Sequence, residues 1–187
     1  MASVTQMMQM WIAEGLQPGD RAVDATAGNG YDTLFLAEQV GAAGHVYAVD
    51  LQTAAIESAR QRLITAGCHE RVTFLHGNHA ELMSLLPEDC QRTIAVVMFN
   101  LGYLPGSDRE LVTTPESTLH ALDAALGLLR PGGVLSVVSY WGHPGGAEEG
   151  QMVEDWFRQQ SHSGRGTLCQ TPVASSTAPR GLLLRTV

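Results

Sequence analysis

Short apolar runs recur at Arg21–Ala25, His45–Asp50, Val72–His76, Ile94–Asn100 and Val134–Tyr140, and between them apolar positions return three and four residues apart. That alternation predicts strands joined by helices, and hence a mostly parallel sheet. Between the second and third strands Ala55, Ile56, Ala59 and Leu63 share one helical face, while Glu57, Arg60 and Arg62 can face water. In the crossover to the fifth strand, Thr114-Pro115-Glu116 supplies a cap, a first-turn proline and an acid near the helix start. Leu119, Leu122, Leu126 and Leu129 give its buried stripe, and Arg130-Pro131-Gly132-Gly133 is expected to end the helix and turn into the strand. A helix at about Val4–Glu14, its methionines read as packing residues, should cover the sheet before Pro18-Gly19-Asp20 turns into the first strand. Glu148–Gln160 reads as a last helix, and Gly166–Val173 and Gly181–Val187 as two final strands forming an antiparallel pair. The expectation is an α/β, Rossmann-like fold: a mostly parallel seven-stranded sheet with helices on both faces, forming a single domain over residues 1–187, with 1–17 as an N-terminal helix packed on the sheet.

Composition narrows the setting. A chain of 187 residues, 44% hydrophobic, can bury one sizeable core but is short for two domains. No basic leader precedes an apolar stretch at the start, and no apolar run approaches the roughly 20 residues that span a bilayer. Cys68, Cys90 and Cys169 are scattered singly, so a cytoplasmic protein with reduced thiols and no membrane partner is expected. A net charge of −8 argues against nonspecific nucleic-acid binding. All eleven cationic residues are arginine, a side chain that forks onto phosphate and stacks on bases. The absence of lysine excludes Schiff-base chemistry and a P-loop.

The densest chemical signal is Val23-Asp24-Ala25-Thr26-Ala27-Gly28-Asn29-Gly30-Tyr31-Asp32-Thr33, where the first strand hands over to its helix. Gly28 and Gly30 permit a sharp turn and let a ligand touch the backbone. Asp50 ends the second strand 20 residues after Gly30, where a carboxylate can accept both hydroxyls of an adenosine ribose. A dinucleotide loop would carry a third glycine near position 33, but Thr33 stands there, and Asp24 and Asp32 would repel a pyrophosphate. Those carboxylates suit a ligand with a sulfonium and an ammonium, which describes S-adenosylmethionine. The competing role for Asp24 and Asp32 is capping of the turn and helix. In Gly77-Asn78-His79, after the third strand, Asn78 or His79 can bond an adenine edge, or Asn78 can simply cap a turn. His76 and His79 have metal-compatible spacing but no partner cluster, so no metal is expected.

Ligands of open parallel sheets bind beyond the carboxyl ends of the strands, near the switch in strand order. That puts Asn100-Leu101-Gly102-Tyr103-Leu104-Pro105-Gly106 beside the cofactor, with the Asn100 carbonyl available to an acceptor amine and Tyr103 able to stack on a base. Tyr140-Trp141-Gly142-His143-Pro144-Gly145-Gly146 should face it across the cleft, with His143 placed to orient a substrate or accept a proton, or serving only as a turn residue. No G-x-S-x-G elbow occurs, which argues against a hydrolase.

With these residues in view, the chain resembles the small bacterial family known as "putative rRNA methylases", whose better-understood members look like tRNA methyltransferases. The resemblance rests on Asp24–Thr33, on Asn100–Gly106, on Thr113-Thr114-Pro115-Glu116-Ser117-Thr118 and on Tyr140–Gly146, and spans about residues 20 to 155. It implies a class I S-adenosylmethionine-dependent methyltransferase, often a homodimer. Its acceptor would be the aminomethyl group of 5-aminomethyl-2-thiouridine at the wobble position, in the anticodon stem-loop of certain tRNAs. By that likeness Asp24, Gly28, Asn29, Gly30, Asp32, Asp50 and Gln52 hold the cofactor, with Thr26, Thr33, Asn78, His79 and Asn100 around them, and Asn100, Tyr103 and His143 shape the acceptor pocket. The acceptor is cationic near neutral pH, so His143 or Asp108 is a candidate base. Arg109, Arg158, Arg165 and Arg180 are candidate tRNA contacts. The segment Ala174–Arg180 departs from the family's asparagine- and proline-rich pattern. Competing readings are a methyltransferase for rRNA or a small molecule, a noncatalytic S-adenosylmethionine-binding module and an NAD-dependent oxidoreductase.

Overall fold

The computed structural model describes residues 2–102 and 115–187. Within them the helices are α1 (Val4–Ala13), α2 (Tyr31–Val40), α3 (Thr53–Thr65), α4 (Leu82–Leu85), α5 (Pro115–Leu128) and α6 (Gly146–His162). The strands are β1 (Arg21–Asp24), β2 (His45–Asp50), β3 (Val72–His76), β4 (Ile94–Leu101), β5 (Leu129–Ser139), β6 (Gly166–Gln170) and β7 (Arg180–Thr186). They form one sheet in the order β3-β2-β1-β4-β5-β7-β6. β1 to β5 run parallel, and β7 is antiparallel to both β5 and β6.

The central strands are buried on both faces, and their alternating side chains divide the core in two. On one face Ala22, Val46, Ala48, Val96, Met98 and Val138 meet Met8 and Ile12 of α1, Leu36, Ala37 and Val40 of α2 and Leu63 of α3. On the other, Val23, Val49, Val97, Phe99, Leu135 and Val137 meet Leu82, Leu122, Ala125, Val153 and Phe157. α1 starts on a reciprocal cap: Gln6 N–H donates to Ser3 Oγ (3.1 Å), and Ser3 N–H donates to Gln6 Oε1 (2.8 Å). α3 buries Ala55, Ile56, Ala59 and Leu63, the face its sequence spacing predicts.

Two expectations near α5 and β5 need correction. The buried stripe of α5 is Thr118, Ala121, Leu122, Ala125 and Leu128, with Leu119 and Leu126 only partly buried and Leu129 already in β5. Equal-sized leucines do not report which of two adjacent helical faces meets the sheet, and the small alanines are what let α5 approach it. Arg130–Gly133 does not separate helix from strand. β5 begins at Leu129, opposite Ile94, and Val134 pairs with Val96, so these residues form an irregularity within the strand. Strand order reverses between β1 and β4, and at their carboxyl ends Asn100 N–H donates to Thr26 Oγ1 (2.7 Å).

Candidate functional site

A cavity of about 620 Å³ opens at that switch point. Its walls come from the β1–α2 loop, the end of β2, the turn after β3, the exit of β4 and the loop after β5. Of the residues singled out above, Thr26, Gly28, Asn29, Asp32, Asp50, Gln52, Asn78, His79, Asn100 and His143 line it. Tyr103, Asp108 and Arg109 lie outside the described residues.

Asp24, Gly30 and Thr33 stand behind the lining, and each has a supporting part. Asp24 is 1% exposed, accepts from Thr33 Oγ1 (2.6 Å) and Thr26 N–H (3.2 Å), and so braces the loop from inside. Burial, and then the neighbouring Asp32 charge, push its carboxyl up to about 7 from the ordinary 3.8. Gly30 sits at φ +78°, and a Cβ there would stand 2.7 Å from Ala59 Cα, so this turn is where α2 and α3 close on each other. Asn29 continues that seam: its Oδ1 accepts from Ser58 Oγ (3.1 Å), and its carbonyl accepts from Arg62 Nε (2.7 Å).

Asp32 is in the first turn of α2 and takes two side-chain donors, Gln9 Nε2 (2.8 Å) from α1 and Asn100 Nδ2 (3.1 Å) from β4. Gln9 escaped the sequence reading, because a glutamine amid methionines on a covering helix looks like its solvent edge. At the end of β2, Asp50 Oδ2 accepts from Gly28 N–H and Oδ1 from Gln52 N–H, both at 2.8 Å. Each oxygen retains a lone pair toward the cavity, enough for two hydroxyls of a ribose. Asn78 Oδ1 caps the following turn through Ala80 N–H (2.9 Å). His79 stands edge-on to Phe99 and its Nε2 is buried with no hydrogen-bond partner among the described residues. Burial holds the His79 ring below its ordinary pKa, with Asp50 opposing.

These features fit S-adenosylmethionine: paired acceptors at Asp50 for the ribose, an unsatisfied buried nitrogen at His79 for the base, and the Asp32 carboxyl group where the sulfonium and ammonium end would lie. At the far end, a Cβ on Gly102 would stand 3.6 Å from Tyr140 Cδ2 and 3.9 Å from His143 Nε2, so the β4 and β5 exits face each other. His143 Nδ1 lies 3.0 Å from the Pro144 carbonyl, an acceptor, so Nδ1 carries a hydrogen toward it. Tyr140, Gly142, Ser117, Thr177 and Pro179 complete this end. Thr177 and Pro179 come from the β6–β7 loop, which spacing in the sequence could not bring to the cleft. Of the arginines suggested for tRNA, the three among the described residues are engaged within the chain. Arg158 and Arg180 bind Glu154, and Arg165 donates to Gln160 Oε1 (3.0 Å), because α6 and β7 offer them acceptors at hand.

Fold and cleft together define a class I S-adenosylmethionine-dependent methyltransferase. The family described as "Putative rRNA methylase" matches residues 46–185, and the chain belongs to it. It is 44% identical over 158 residues to the chloroplastic tRNA (mnm(5)s(2)U34)-methyltransferase of Arabidopsis thaliana, a match covering 80% of this chain and 57% of that protein. The chain spans about half the length of the curated relatives it matches. A crystal structure described as a putative rRNA-methylase from Clostridium thermocellum superposes with a TM-score of 0.92 at 32% identity, covering 100% of this chain and 99% of that one. A putative methyltransferase from Streptococcus mutans in complex with SAH superposes at 0.85 with 26% identity over 100% and 99%.

Proposed function

We propose that the protein methylates the aminomethyl nitrogen of 5-aminomethyl-2-thiouridine at the wobble position of tRNA, giving 5-methylaminomethyl-2-thiouridine. The reading is carried by one continuous cavity that runs from Asp50 to His143, so that a cofactor held at one end abuts an acceptor held at the other. The Arabidopsis relative supports the choice of acceptor. S-adenosylmethionine supplies a transferable methyl group on a positively charged sulfur. The chain's own residues bind, orient and deprotonate. Asp50, Asp32 and His79 fix the cofactor's two ends, and Gly102 lets the acceptor close on it. An aminomethyl group is protonated near neutral pH and its nitrogen must shed that proton before it can attack. His143, which lines the acceptor end of the cavity, is the residue we assign to take it. Positioning supplies most of the remaining effect.

The same proposal makes the protein a cytoplasmic homodimer. The three cysteines are unpaired, which suits a reducing compartment, and light scattering on the purified chain tests the dimer.

The deciding experiment incubates the purified protein with S-adenosylmethionine and tRNA from cells lacking its gene, then quantifies nucleosides by mass spectrometry. Conversion of 5-aminomethyl-2-thiouridine to its N-methyl form is expected. No change in any nucleoside, with cofactor binding intact, would overturn the reading in favour of a small-molecule acceptor or a noncatalytic module.

A further inference from the structure

The β6–β7 loop, residues 171–179, is exposed from Pro172 to Thr177, yet Thr177 and Pro179 line the acceptor end of the cleft. An exposed polar segment holds one position only if something anchors it. Part of that anchoring is local: Gly181 N–H donates to Thr171 Oγ1 (2.9 Å) across the base of the loop. The rest converges on Arg180. Its guanidinium Cζ lies over Trp141, 3.3 Å from the ring centroid, and its Nη1 donates to Glu154 Oε1 (2.7 Å). Glu154 is 2% exposed and also accepts from Gln170 Nε2 (3.2 Å) and Arg158 Nη2 (2.8 Å).

Trp141 belongs to the loop after β5 that carries His143, and is itself fixed by Nε1 donating to Ser139 Oγ (3.1 Å). α6 is shaped to receive both side chains. A Cβ on Gly150 would stand 2.5 Å from the Trp141 ring, and one on Gly146 would stand 2.7 Å from His143 Nε2. At Gly142 the two loops come together, with the Thr177 carbonyl 3.5 Å from where a Cβ would be.

We propose that Arg180 is a positioning residue for the acceptor end: stacked on Trp141 and paired with buried Glu154, it locks the β6–β7 loop to the loop carrying His143, so that both walls of the acceptor pocket hold one geometry. Arg180 acts through Trp141 and the loops and does not itself line the cavity. Glu154 keeps Arg158 and Gln170 when Arg180 is replaced, so its charge is not stranded and the variants should fold. Lysine can keep the pairing with Glu154, but its ammonium cannot lie as a plane on the indole.

The test is hydrogen–deuterium exchange on the full chain, which needs no acceptor. Arg180→Ala should speed exchange at 141–146 and 172–179 by tenfold or more, while α6 beyond residue 151 and the affinity for S-adenosylhomocysteine change less than twofold. Trp141→Leu should reproduce the effect, and combining it with Arg180→Ala should add nothing. Arg180→Lys should recover the melting temperature and leave 141–146 fast. Unchanged exchange at 141–146, a uniform rise across α6 and β7, or full rescue by lysine would each overturn the proposal. A turnover arm rests on the wobble-uridine reading: Arg180→Ala should lower kcat on tRNA at least tenfold and leave the cofactor KM within twofold, and a normal kcat would count against the lock. A wild-type enzyme silent on tRNA would defeat that reading, while the exchange data would still decide the role of Arg180.

Discussion

Gln9 Nε2 donates to Asp32 Oδ1 across 2.8 Å, which ties the first helix of the chain to a carboxylate that lines the cavity and is proposed to meet the positive end of the cofactor. α1 therefore does more than cover the sheet. Gln9→Leu keeps the bulk and removes the donor. A hydrogen bond to a charged group contributes roughly 1.5–3 kcal/mol, and Asp32 retains Asn100, so S-adenosylmethionine should bind about tenfold more weakly. Calorimetric titration measures this, and an unchanged affinity would return α1 to a purely structural part.

Asp24 should make cofactor binding a proton-linked event. Its folded pKa, near 7, lies above the ordinary value of 3.8, so the stability this group contributes is present below pH 4 and is lost as pH rises through 7. A cation arriving beside Asp32 favours ionised Asp24 and lowers that pKa again, so S-adenosylmethionine should release protons on binding at pH 7. S-adenosylhomocysteine, without the sulfonium, should release fewer. Titrations in buffers of different ionisation enthalpy read the difference directly, and Asp24→Asn should abolish it.

Gly30→Ala tests the seam between α2 and α3. The substitution meets both a left-handed backbone and Ala59, whose Cα would be 2.7 Å away. Strain of this kind costs roughly 1–3 kcal/mol. For a domain of this size each kcal/mol moves the midpoint by about 2–4 °C, so thermal unfolding should fall by several degrees.

Much of this architecture was legible because local pattern and tertiary demand agree. β2 and β3 have the boundaries their apolar runs predict, and Ala55, Ile56, Ala59 and Leu63 declare the buried face of α3 by spacing alone. Asp50, the glycine loop and the β4 exit could be placed together because parallel topology fixes which strand ends are neighbours. What stayed hidden depends on contacts distant in sequence. Gln9 reaches Asp32 across 23 positions, and Arg180 reaches Glu154 across 26, neither announced by any local periodicity. The place of Asp24 in the motif predicts a ligand contact, but the inward-facing side of β1 sets its side chain behind the cavity wall.

His79 offers a substitution whose two effects should carry opposite signs. Its Nε2 is buried beside Phe99 with no partner among the described residues, and an unsatisfied buried polar atom costs about 1–3 kcal/mol. His79→Leu removes that penalty and keeps an apolar group against Phe99, so the melting temperature of the free protein should hold or rise. In the proposed complex the same nitrogen would meet the adenine edge, so the affinity for S-adenosylmethionine should fall, on the order of tenfold for about 1.4 kcal/mol. A stabilised protein that binds the cofactor less well would place the adenine beside His79. A destabilised protein with unchanged affinity would make His79 a packing residue and move adenine recognition to Asn78 and the backbone around Gly77.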